Sequence, residues 1–122
     1  MKNIDHIGIA VKDLEASNKL FASLLNTTCY KIEDVPNQQV STSFFKTDDQ
    51  KIELIAATSP SSPITKFIDK KGEGIHHIAF EVDDIHAEII RLKGEGFEPL
   101  SEEPTKGADN KWVVFFHPKT TN

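Results

Sequence analysis

Ile4-Asp5-His6-Ile7-Gly8-Ile9-Ala10-Val11-Lys12-Asp13-Leu14-Glu15-Ala16 and Ile75-His76-His77-Ile78-Ala79-Phe80-Glu81-Val82-Asp83-Asp84-Ile85-His86-Ala87 are one pattern written twice. Ile, His, Ile, Val, Asp and Ala recur at a constant offset of 71 residues. Two amphipathic segments match easily at apolar positions, but a histidine and an aspartate in register as well mark an internal repeat. Each copy opens with a β-branched, apolar strand, Ile4–Val11 or Ile75–Val82. Asp13 and Asp84 then stand where a helix N-cap belongs. Apolar residues follow at helical spacing: Leu14, Leu20, Phe21, Leu24 and Leu25 in the first copy, Ile85, Ile89 and Leu92 in the second, with Gly94 in the C-cap position.

Working outward, the first helix leads to three strand candidates, Cys29–Val35, Val40–Phe45 and Lys51–Ala56, divided by Pro36-Asn37 and Asp48-Asp49. The second helix leads to two, Phe97–Ser101 and Lys111–Phe116. Between the copies, Ser62-Pro63 reads as an N-cap and first-turn pair opening a short helix through Ile64, Phe67 and Ile68. The expected fold is α+β: two pseudo-symmetric βαβββ modules building a curved mixed sheet around a cleft. The whole of 1–122 forms a single domain, with module 1 over about 1–60, a connector helix over about 62–71 and module 2 over about 74–122. The repeat demands a final strand to match Lys51–Ala56, and none precedes Asn122; the expectation is a shortened chain.

Composition sets the outer limits. Among 122 residues, 38% are hydrophobic and 27% charged, which excludes a disordered tail or a coiled coil. No apolar run approaches a membrane span. Fourteen basic against nineteen acidic residues give a net charge of −5, which argues against a nucleic-acid partner. Met1 leads straight into a strand rather than a signal peptide, and the lone Cys29 has no intrachain partner, so a cytoplasmic location is expected.

Strand alternation places His6, Gly8 and Ala10 on one face and Ile7, Ile9 and Val11 on the other. His77 and Ala79 face one way in the second copy, Ile78, Phe80 and Val82 the other. The bulky aliphatic face is the one a helix covers, whereas the opposite face sets a histidine beside very small side chains and leaves room there. On Lys51–Ala56 the same parity packs Ile52 and Leu54 and leaves Glu53 with Ile55 on the other side. Two imidazoles and a carboxylate suit a first-row divalent metal, so His6, His77 and Glu53 are the candidate ligands. His76 falls on the opposite face and reads as a packed or hydrogen-bonded side chain. His86 on an exposed helix side and His117 in a loop lack any such setting. Gly72-Glu73-Gly74 precedes a strand rather than a helix and is no phosphate loop, and Ser41, Thr42 and Ser43 lack a nucleophile elbow.

These residues resemble the vicinal oxygen chelate superfamily (glyoxalase, bleomycin resistance and dioxygenase proteins) and, within it, the methylmalonyl-CoA epimerases. The likeness rests on Ile4–Val11, Lys51–Ile55, Ser62-Pro63-Ile64, Gly74–Ile85 and Phe116-His117-Pro118-Lys119. It implies a metal-dependent isomerase that interconverts (2R)- and (2S)-methylmalonyl-CoA by proton abstraction alpha to the thioester, through a metal-stabilised enolate. It also implies His6, Glu53 and His77 as metal ligands, with Glu53 as a catalytic candidate, no other cofactor-binding residues, and a homodimer acting on an acyl-CoA thioester. Cobalt or manganese is the expected ion, with zinc or nickel also compatible. The family's fourth ligand, a glutamate that doubles as an acid/base group on a final strand, has no counterpart up to Asn122. A lactoylglutathione lyase, a ring-cleaving dioxygenase and a metal-free small-molecule binding module are the alternatives on the same fold.

Overall fold

The structure, a computed structural model, describes residues 1–121. Five strands form one mixed sheet in the order β2-β3-β4-β1-β5, where β1 is Asn3–Ala10, β2 Lys31–Val35, β3 Val40–Thr47, β4 Gln50–Ala57 and β5 Gly74–Glu81. Helix α1 (Leu14–Leu25) joins β1 to β2, and α2 (Pro63–Lys71) joins β4 to β5. β1 runs parallel to β4, with Gly8 opposite Glu53 and Ala10 opposite Ile55. β3 runs antiparallel to β4, with Phe44 opposite Glu53 and Phe45 opposite Ile52. This is the expected βαβββ unit followed by its connector helix.

The chain divides into two compact units, Ile4–Phe80, and Met1–Asn3 together with the residues from Glu81 on. In the first, alternation along β1 and β4 decides where the core lies. Val11, Phe45, Leu54 and Ala56 are buried, and Ile9, Ile52, Cys29 and the α1 residues Leu14, Phe21, Ala22 and Leu25 pack on them. Burial of each large apolar side chain here is worth roughly 1.5–3 kcal/mol. Two residues expected on the packed face of α1 are on its outer side: Leu20 is 64% and Leu24 69% exposed. The reason is the 100° step of the helix, since Leu14, Phe21 and Leu25 share a stripe that Leu20 and Leu24 miss. Asp13 caps α1 by accepting from the Ala16 N–H at 3.1 Å, and Ser62 caps α2 by accepting from the Ile64 N–H at 3.2 Å.

In the second unit, helix α3 (Ile85–Gly94) is capped by Asp84, which accepts from the Ala87 N–H at 3.1 Å. Its C-cap is Glu95, one residue beyond the expected Gly94. The two expected strands meet as a single antiparallel bridge between Pro99 and Phe116, flanked by bonds from the Leu100 N–H to the Phe115 carbonyl and from the His117 N–H to the Glu98 carbonyl. Beyond it lie two short strands, β6 (Thr105–Lys106) and β7 (Trp112–Val113), paired antiparallel. A proline at 99 removes one ladder donor, which limits the pairing there. In the Ile4–Phe80 unit, the β5 residues Ile78 and Phe80, expected on a packed face, are 50% and 51% exposed.

Candidate metal centre

Everything expected of the site lies in the Ile4–Phe80 unit, where β1, β4 and β5 each contribute one side chain. His6 comes from β1 and His77 from β5, strands that are neighbours in the sheet. Their Nε2 atoms stand 3.0 Å apart, with the rings edge to face. Glu53 comes from β4, on the other side of β1, and is 5% exposed. One of its carboxylate oxygens lies 3.2 Å from His6 Nδ1. His6 therefore touches both other candidate ligands, one at each ring nitrogen.

Small side chains make the room, as the alternation suggested. A Cβ on Gly8 would fall 2.3 Å from His77 Cε1, so the imidazole occupies space that any other residue at position 8 would fill. His77 is largely withdrawn from water, and burial is the first cause that drives its pKa down to about 3, with His6 and His76 beside it adding to the effect. The imidazole is thus neutral at physiological pH, the form that ligates a metal. His76 is likewise held below the ordinary histidine range by burial.

His76 is packed and hydrogen-bonded, as its place on the opposite face predicted. Its ring meets Phe67 of α2 edge to face at 4.8 Å, and its Nδ1 lies 2.9 Å from His77 Nδ1. His86 is exposed on α3, and His117 accepts from the Lys119 N–H at 3.1 Å. Thr42 and Ser43 are buried on β3, and the Ser43 hydroxyl has no hydrogen-bond partner among the described residues.

Sequence reasoning missed Asp5. Its carboxylate accepts from His6 Nδ1 at 2.8 Å and pairs with Lys51 Nζ at 3.3 Å. Asp5, His6 and Glu53 together offer ligand atoms all within 4.8 Å of one another. Parity assigned Asp5 to the face opposite His6, and only the register that sets Lys51 beside His6 draws its carboxylate back toward the ring. The donor set, two imidazoles with buried or half-buried carboxylates over a glycine seat, fits a divalent first-row cation. In such a centre His6, His77 and Glu53 would hold the ion.

The model of the glyoxalase/bleomycin resistance protein/dioxygenase superfamily matches residues 5–116. An ethylmalonyl-CoA/methylmalonyl-CoA epimerase of Cereibacter sphaeroides is 40% identical over 121 residues, which are 98% of this chain and 90% of that protein. The human mitochondrial methylmalonyl-CoA epimerase is 38% identical over 95% of this chain, which spans 66% of the human protein. A methylmalonyl-CoA epimerase solved with methylmalonyl-CoA and NH4+ superposes with a TM-score of 0.92 at 31% identity, covering 99% of this chain and 88% of that one.

Proposed function

The chain belongs to the glyoxalase/bleomycin resistance protein/dioxygenase superfamily, and on that footing we propose that it is a metal-dependent methylmalonyl-CoA epimerase. The observation that carries this reading is the convergence of His6, His77 and the buried Glu53 on neighbouring strands. Epimerase relatives that match nearly the whole chain favour it over a lactoylglutathione lyase. The reaction removes the proton alpha to an acyl-CoA thioester and returns one to the opposite face. A bound divalent cation supplies positive charge opposite the electron density that builds on the thioester as the proton leaves. Cobalt or manganese is the proposed ion.

The chain's own residues supply the rest. His6 and the neutral His77 present Nε2 atoms 3.0 Å apart, a spacing that two ligands of one ion can share. Glu53 is the candidate proton carrier among these residues. Its carboxylate is buried and lies against His6, which orients it. We further propose a homodimer, and a cytoplasmic location on the likeness to the bacterial epimerase of Cereibacter sphaeroides.

The test is stereochemical. Pure (2S)-methylmalonyl-CoA should become a mixture of both epimers, while the methylglyoxal–glutathione hemithioacetal should not turn over. His6→Ala and His77→Ala should each lose bound metal, read by elemental analysis, together with epimerisation. Unchanged metal content in both variants would refute the ligand assignment.

A further inference from the structure

We propose that the residue preceding each site histidine, Asp5 before His6 and His76 before His77, is a positioning residue that takes up the Nδ1 position and turns Nε2 toward the ion. This rests on the metal-centre reading above and adds how the two rings are aimed. Asp5 and His76 occupy equivalent places in the repeat, each one residue ahead of a histidine. Their chemistry differs, yet they make the same contact: Asp5 lies 2.8 Å from His6 Nδ1, and His76 Nδ1 lies 2.9 Å from His77 Nδ1.

Each positioning residue is itself held. Lys51 Nζ stands 3.3 Å from the Asp5 carboxylate, on the strand position paired with His6. Phe67 of α2 receives the His76 ring edge to face. Glu53 also reaches His6 Nδ1, at 3.2 Å, a contact it would exchange for the ion on the Nε2 side, which leaves Asp5 as the lasting partner of that edge. A carboxylate only accepts, which places a proton on His6 Nδ1. For His77 the corresponding arrangement has its Nδ1–H donating to His76 Nδ1. The two Nε2 atoms then confront each other at 3.0 Å, and only a proton or a cation between them reconciles two lone pairs at that distance. Lysine pairing marks Asp5 as a support for His6 rather than a further ligand. Partners at the outer nitrogen of a metal-bound histidine fix its tautomer, and their loss typically costs ten- to hundredfold in metal affinity.

The experiment combines 15N NMR of the imidazoles, in metal-free and Zn2+-loaded protein, with Zn2+ affinity from competition with a chelating dye. Wild-type His77 should carry its proton on Nδ1 in both states. His76→Phe keeps a ring against Phe67 and removes the nitrogen; it should mix the His77 tautomers and weaken Zn2+ binding about ten- to hundredfold. His76→Asn, whose amide oxygen accepts, should restore most of both. Asp5→Ala and Asp5→Asn should behave in parallel at His6 in the Zn2+-loaded protein, where Glu53 is drawn to the ion, with circular dichroism confirming that each variant folds. A wild-type His77 protonated on Nε2, or a folded His76→Phe with unchanged tautomer and affinity, would overturn the proposal. The predicted tautomer, lost in His76→Phe, from a protein with no Zn2+ affinity would uphold the positioning and sink the metal centre.

Discussion

At Gly8 the site depends on an absent side chain. A methyl group there would press on the His77 imidazole, with backbone behind it and no freedom to yield. Gly8→Ala should therefore leave circular dichroism unchanged and weaken metal binding at least tenfold, because His77 must turn away from His6; titration with Co2+ measures it. Wild-type affinity in this variant would show that His77 is not a ligand. The histidines and Glu53 were legible in the sequence because period-2 alternation sorts a strand's side chains without knowledge of the fold. Asp5 was not, because its carboxylate bends round the strand toward Lys51, and that pull depends on the β1–β4 register. The nitrogen each ring presents was equally hidden, since it is decided by neighbours at 2.8–3.2 Å.

At the scale of elements, the caps carry the most readable information. Asp13 and Asp84 are equivalent in the repeat and make the same bond, each to the N–H three residues on. Asp13→Ala and Asp84→Ala should each cost about 1 kcal/mol in urea unfolding, and neither should alter metal affinity. A loss of metal in Asp13→Ala without loss of stability would instead tie α1 to the site. Helices and strands of the first copy fall within a residue or two of the sequence reading, as β2 shows by opening at Lys31 rather than Cys29. The second copy was harder. The strands expected at 97–101 and 111–116 are reduced to one bridge between Pro99 and Phe116, where Pro99 lacks a ladder donor, and Trp112–Val113 pairs with Thr105–Lys106 instead. Leu20 and Leu24 were misplaced because leucines crowd two adjoining faces of α1 and only packing chooses between them.

At the scale of the molecule, a histidine held neutral links the site to stability. His77 has a folded pKa near 3 against an unfolded value of 6.5. Between those values the unfolded chain binds a proton that the folded one refuses, so metal-free protein should lose stability as pH falls from about 6.5 toward 3. Above pH 6.5 this contribution should be level. Urea midpoints at pH 7.5 and 5 would record the drop, and His77→Phe should flatten it; an equal drop in that variant would assign it to other groups. The proposed reaction is proton removal alpha to a thioester, assisted by a cation held on His6, His77 and Glu53. Its most direct test is hydrogen–deuterium exchange at the alpha carbon of methylmalonyl-CoA in D2O, followed by NMR with cobalt-loaded protein. The expected result is exchange that a chelator stops and added Co2+ restores, and that His77→Ala cannot support. Absence of exchange from the metal-loaded protein, or exchange indifferent to the chelator, would contradict it.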